Sequence, residues 1–282
     1  MTLAEQVQAA TKTREFKTLV VDVERLKGRF TWPAEDRFDS LTISGEFWGL
    51  SDYKHKFGRV PYQHVTEWPR TICASWRWVG EKKIGFAAEW DNGPKAFAQT
   101  MRDLIDEADI ITGHYVNKAD RRWLNSTFRD HGIPWPSPVK VIDTLTIARR
   151  DLGDESMTLG ALCTRFGIPT KQGHYDAAVA RAACEGDRKA QRNIKLYNMA
   201  DVEASTGLYF MTLPLAHGHP HVAPIRGTGQ TVCPRCSSNN VHRDGSWSPG
   251  TYVYARFRCD DCPGTSYFRT MYEGRGPAMR AL

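Results

Sequence analysis

The pattern of apolar and polar positions lays out most of the chain. Val20, Val21 and Val23 within KTLVVDVE predict a β-strand over about 17–24. The long stretch between that strand and TICASWRWV carries Pro33, Gly45, Gly49, Gly58 and Pro61 without a sustained period and is expected to be irregular. TICASWRWV and KIGFAAEW alternate as two more strands, joined by the turn GEKK. PKAFAQTMRDLIDEA sets Phe97, Met101, Leu104 and Ile105 on one helical stripe. A strand (DIIT), a loop (GHYVNK), a helix (ADRRWLNSTFRDH, stopping at Gly132) and a strand (KVIDT) follow. Beyond them the pattern is mainly helical: TLGALCTRF up to Gly167, then about 176–190 and 192–211. A three-stranded antiparallel meander followed by helix, strand, helix and strand predicts an α/β fold, a mixed sheet with helices on its faces. Ligands of such sheets bind at the carboxyl ends of strands.

LPLAHGHPHVAPIRGTGQ, residues 213–230, is rich in Pro and Gly, lacks periodicity and reads as a linker. It separates an α/β domain, 1–212, from a cysteine-containing module, 231–282. Composition is that of a soluble globular protein, with 41% hydrophobic and 25% charged residues among 282. No apolar run approaches the ~18 residues of a membrane span, and MTLAEQVQAATKTREFK has no apolar signal core. A cytoplasmic, membrane-free protein is expected. The net charge of +6 accommodates a polyanionic partner, although pairs such as Arg121/Arg122 and Arg149/Arg150 serve equally well as solvated helix faces.

The opening strand poses a chemical question. Residues i and i+2 of a strand share a face, so Asp22 and Glu24 project together. A hard divalent cation with oxygen ligands would relieve their repulsion, and plain solvation at a strand end would also explain the pair. Asp120 opens a predicted helix, where an acid can simply satisfy the helix terminus. Tyr197 and Asp201 share one helix face at i, i+4, on a stripe continued by Ile194 and Leu208. His114 reads as a structural hydrogen-bonding residue, Asp143 and Thr144 as a strand end and helix cap, and Trp48 as a core residue, with base stacking as its alternative.

DVE in the first strand, GH followed by Asp120 after a later strand, and YNMAD in a late helix together resemble the DEDD exonucleases. These are ribonuclease-H-like 3′–5′ exonucleases that include polymerase proofreading domains. Tyr197, four residues before Asp201, matches the tyrosine subclass; the position that would carry His in the histidine subclass is Leu196. VIDT and GDRKAQRNIKLYNMADVEAS resemble phage-encoded members especially, which would place the protein in a host cell's cytoplasm. The resemblance spans about residues 15–212 and implies a ribonuclease-H-like sheet and two Mg²⁺ or Mn²⁺ ions held by Asp22, Glu24, Asp120 and Asp201. It implies that Asp22 bridges both ions, that Glu24 and Asp201 complete the site of the attacking water, and that Asp120 supports the ion beside the leaving 3′ oxygen. Tyr197 would orient the water. Arg25, Tyr115 and Ala119 stand where relatives often carry Thr or Ser, Asn, and an aromatic; these positions usually touch the terminal nucleotide or pack beneath the site.

Cys73, Cys163 and Cys184 lie in apolar surroundings and read as small buried hydrophobes. Cys233 and Cys236, in CPRC, and Cys259 and Cys262, in CDDC, are two CxxC pairs 22 residues apart. With TYVYARFRC between them as a hairpin, they look like a zinc ribbon holding one structural Zn²⁺. Ser237 and Pro263 replace the Gly usual after each knuckle. Arg226, Arg235, Arg243, Arg256, Arg258, Arg269, Arg275 and Arg280, interleaved with Trp247, Tyr252, Tyr254 and Phe257, suit single-stranded nucleic acid or a docked protein. His217, His219 and His221 read as incidental. The combined expectation is a 3′–5′ exonuclease acting on single-stranded or frayed DNA ends, with a polymerase or replication protein as a candidate partner. An RNA exonuclease and a nucleic-acid-binding adapter with a silent nuclease site are the alternatives.

Overall fold

The opening strand β1 (Thr18–Leu26) lies at the centre of the molecule, because its two faces meet two different sets of helices. The computed structural model describes residues 17–37, 40–54, 58–169, 175–220, 232–233, 238–247, 254–262 and 265–268. β1 pairs antiparallel with β5 (Arg70–Trp78), which pairs antiparallel with β6 (Gly85–Ala88). On its other side it runs parallel to β7 (Ile110–Gly113), followed by β8 (Lys140–Asp143). The spatial order is β6-β5-β1-β7-β8, the mixed sheet that the alternation predicts.

Side-chain alternation sorts the core. Leu19, Val21 and Val23 pack against α2 (Pro94–Glu107) and α3 (Asp120–Asp130), through Phe97, Met101, Ile105, Leu124 and Phe128. Leu26, with Ile72 and Cys73 of β5, packs against α6 (Ala177–Cys184) and α7 (Arg188–Thr212), through Ala180, Ala183, Ala190 and Ile194. A short α1 (Glu89–Asn92) precedes α2, while α4 (Thr144–Asp151) and α5 (Leu159–Arg165) pack on α7.

The structure departs from the expected elements in three places. The stretch expected to be irregular contains β2 (Gly28–Trp32), β3 (Ile43–Phe47) and β4 (Val65–Glu67), with β3 and β4 both paired to β2 in a second sheet. Its core is Phe30, Phe47, Leu50 and Val60, widely spaced residues whose pairing no local window reveals. The last two helices break at 185–187 rather than near 191. Gly186 there has φ 100°, and Asp187 caps α7 by accepting from the N–H groups of Lys189 and Ala190. KIGFAAEW is strand only from Gly85 to Ala88 and then turns helical.

β9 (Val241–Trp247), β10 (Tyr254–Cys259) and β11 (Thr265–Phe268) form an antiparallel sheet beyond the main domain. Cys233, Cys259 and Cys262 are buried in one apolar cluster with Ile110, Ile142, Tyr209, Leu213 and Ala216. Residues 213–220 therefore run along the main domain, with Leu213 and Ala216 buried and the Leu215 carbonyl accepting from Arg150 at 2.6 Å. Residues 221–230 lie outside the described residues. Among the described residues, no helix is long and apolar enough to cross a membrane.

Candidate active site

The carboxyl half of β1 carries acids because it runs past its parallel partner. β7 pairs with β1 only as far as Val20 opposite Thr112, so the Val23 N–H has no parallel strand to donate to. Asp120, in the first turn of α3, fills the gap: its Oδ1 accepts from Val23 N at 3.0 Å. The register shift between Glu24 and Arg25 bends the strand at this point. Val20, Asp22 and Glu24 face α7 by alternation, and α7 brings Tyr197 and Asp201 to the same place.

Asp22, Glu24 and Asp201 can bring one oxygen each within 4.8 Å of one another. Asp120 stands outside that trio but lines the same cleft, with Tyr197. The cleft encloses about 390 Å³ and is also walled by Arg25, Trp48, Tyr115, Trp123 and Tyr175. All five sequence-predicted residues thus meet in one cavity, though they come from positions 22 to 201.

Among the described residues, the electrostatics are those of acids that repel one another in a buried site. Burial raises the Asp22 carboxyl well above the usual range, and Glu24, Asp120 and Asp201 add repulsion. Glu24 is pushed from 4.5 to about 8, first by burial and then by Asp201 and Asp120. Asp120 is pushed to about 7, mainly by burial, against the N–H groups it accepts from. Burial lifts Asp201 to about 6, and a hydrogen bond from Tyr197 opposes the rise. The Tyr197 hydroxyl moves well above its ordinary range through burial and the adjoining Asp201 and Glu24. Arg25, the cation in the cleft wall, is directed elsewhere: its guanidinium donates to the Pro69 carbonyl at 3.2 Å and lies over the Trp48 and Trp123 rings. Four oxygen-donor acids in this state fit hard divalent cations such as Mg²⁺ or Mn²⁺.

Sequence reasoning missed Asn198. It is fully buried, and its Nδ2 donates to Asp22 Oδ2 at 2.6 Å. The signal was its position: Ile194, Asn198 and Val202 repeat at i+4 on the buried face of α7, so an amide in that row required a partner. Trp48 corrects an expectation. It is 41% exposed and lines the cleft instead of filling the core. It follows β3, and the apolar cluster of the second sheet is formed by Phe30, Phe47, Leu50 and Val60.

His114 hydrogen-bonds through both ring nitrogens, to Thr144 Oγ1 at 3.0 Å and to the Met157 carbonyl at 2.9 Å, as a structural residue would. Asp143 caps α4 as expected, accepting from Leu145 and Thr146 N–H. It also accepts from Tyr115 and Asn117 N–H, which secures the loop in which Tyr115 holds φ 71°. Gly113 permits this geometry, since a Cβ there would lie 2.6 Å from the Val21 carbonyl. The departures noted above, Arg25, Tyr115 and Ala119, all line the cleft, Ala119 as a buried residue.

In the second module the sulfurs of Cys233, Cys259 and Cys262 come within 4.8 Å of one another, and those of Cys233 and Cys262 are 3.6 Å apart. That spacing suits thiolates around one tetrahedral Zn²⁺, with Zn–S near 2.3 Å. Cys236 lies outside the described residues. Arg256 and Arg258 both pair with Asp244.

No family model matches the chain, and no curated protein matches it. Among solved structures it is similar to the family B DNA polymerase of the hyperthermophilic archaeon Pyrobaculum calidifontis, at 12% identity and TM-score 0.46, over 86% of this chain and 34% of that one. It is also similar to Trypanosoma brucei RNase D, at 15% identity and TM-score 0.38, over 77% of this chain and 63% of that one. The chain therefore spans about a third of the polymerase and less than two thirds of the RNase D.

Proposed function

We propose that the chain is a metal-dependent 3′–5′ exonuclease of the DEDD type, tyrosine subclass, that removes nucleotides from single-stranded or frayed 3′ ends of DNA. One observation carries this reading: four carboxylates and a tyrosine, from β1, α3 and α7, line one cleft in which burial and mutual repulsion leave the acids in want of cations. Two Mg²⁺ or Mn²⁺ ions held by Asp22, Glu24, Asp120 and Asp201 would supply Lewis-acid stabilisation of the phosphate and a more acidic attacking water.

The chain's own residues do the positioning. Asn198 holds the Asp22 carboxylate in one orientation. Asp120 ties the end of β1 to α3, which sets the spacing across the cleft. Tyr197 remains protonated at neutral pH, so its hydroxyl orients a water by hydrogen bonding rather than by taking its proton. Trp48, Trp123 and Arg25 offer flat faces to a terminal base. Cys233, Cys236, Cys259 and Cys262 would hold one Zn²⁺ in a closed, structural site.

A 5′-labelled single-stranded DNA incubated with Mn²⁺ tests the reading. The expected result is a ladder shortening from the 3′ end, lost in Asp22→Ala. A matching RNA, run in parallel, separates deoxyribonuclease from ribonuclease. Binding without cleavage by the wild type would favour a nucleic-acid adapter instead.

A further inference from the structure

The cleft does not end at Trp48. It continues over the second sheet into a groove lined by Arg25, Trp48, Tyr62, Trp68 and Arg129 among others, with Arg25 and Trp48 shared between the two. Trp48, Tyr62 and Trp68 are 41%, 64% and 50% exposed, a large aromatic surface in water. Single exposed aromatics are ordinary, whereas three along one groove mark a contact surface. The rings are braced: Trp68 packs edge-on to Phe47 at 6.3 Å and lies 5.4 Å from Tyr62. Cations accompany them, with Lys27 over Trp48 at 5.6 Å and Arg59 over Tyr62 at 5.9 Å. Exposed aromatic rings with cations held against them bring together the groups that stack on bases and pair with phosphates of a single strand without regard to sequence.

We infer that Trp48, Tyr62 and Trp68 form a ledge that binds the single-stranded nucleotides 5′ to the one being removed, so that substrate must exceed a few nucleotides for full affinity. The inference rests on the exonuclease reading of the adjoining cleft. Continuity with that cleft and the attendant cations favour a nucleic-acid strand over a protein segment.

The test compares a dithymidylate, which stays within the cleft, with a long oligothymidylate, using Tyr62→Ala and Trp68→Phe in the full-length protein with Mn²⁺. Each stacked base contributes on the order of tenfold in affinity. Tyr62→Ala should therefore lower the ratio of long- to short-substrate kcat/KM about tenfold through KM, and Trp68→Phe should keep most of it. An unchanged ratio would overturn the ledge. If the wild type cleaves neither substrate, the nuclease reading fails, and the ledge is judged by fluorescence anisotropy. Weaker binding of the long oligomer by Tyr62→Ala then supports it, and equal binding sinks it.

Discussion

Glu24 shows how a single buried side chain can be costly to the fold. Its carboxyl is raised to about 8 by burial and by Asp201 and Asp120, and burial likewise raises Asp22, Asp120 and Asp201. A carboxylate whose pKa is higher folded than unfolded binds more protons in the native state. Its stabilising contribution is therefore complete below the unfolded value and is lost as pH rises through the folded one. Without divalent cations, the melting temperature should fall as pH rises from about 4 to about 8. Added Mn²⁺ should restore it, most strongly at the upper end. Glu24→Gln removes one charge from this cluster and should raise the metal-free melting temperature by about 2–4 °C, corresponding to roughly 1 kcal/mol, while abolishing cleavage. Calorimetry across pH, with and without Mn²⁺, checks both signs; a melting temperature that climbs with pH in the metal-free protein would contradict the account.

Arg181 illustrates the element scale. It lies on α6, and its largely buried guanidinium reaches Glu46 at the end of β3, Glu67 of β4 and the Lys27 carbonyl before β2, each at 2.8 Å. One planar fork thus fastens the second sheet, with Trp48 and Trp68 at its strand ends, to α6 of the main domain. Arg181→Ala leaves carboxylates short of a partner and should cost about 1–3 kcal/mol. Arg181→Lys should recover little, since an ammonium cannot span the three acceptors. Hydrogen exchange over residues 28–67 is the direct measurement. Faster exchange confined to that segment is expected, and unchanged protection would mean that the apolar cluster alone holds the sheet. The sheet went unread in the sequence because β2 and β3 are separated by Pro33 and by residues with no sustained period, while Arg181 lies far beyond both.

For the whole molecule, the question is whether the cysteine-containing module and the main domain unfold together. Cys233, Cys259 and Cys262 share an apolar cluster with Ile110 of β7, Ile142 of β8 and Tyr209 of α7. If these cysteines hold the proposed Zn²⁺, Cys262→Ser should release it, measurable as loss of about one ion per chain. It should also lower the melting temperature of the entire protein by on the order of 5–10 °C. A single transition in wild type that shifts as a unit is the expected trace. Two transitions, with only the smaller one moved, would show that the shared cluster carries no coupling.

The sequence by itself determined what depends on neighbours along the chain. The alternation of β1, β5 and β6, the stripe of α2, the Gly132 and Gly167 stops and the i, i+4 placement of Tyr197 and Asp201 follow from local periodicity. Asp22, Glu24, Asp120, Tyr197 and Asp201 were singled out as a set by the resemblance of their motifs to the DEDD exonucleases, each motif being a short local pattern. Only the tertiary structure decided what depends on residues far apart. Asn198 bonds Asp22, Asp120 completes the end of β1, Arg181 fastens the second sheet, and Trp48 lines the cleft outside the second sheet's apolar cluster. Partners for buried polar groups and the room left in a core are properties of the packed chain, so no window of sequence contains them.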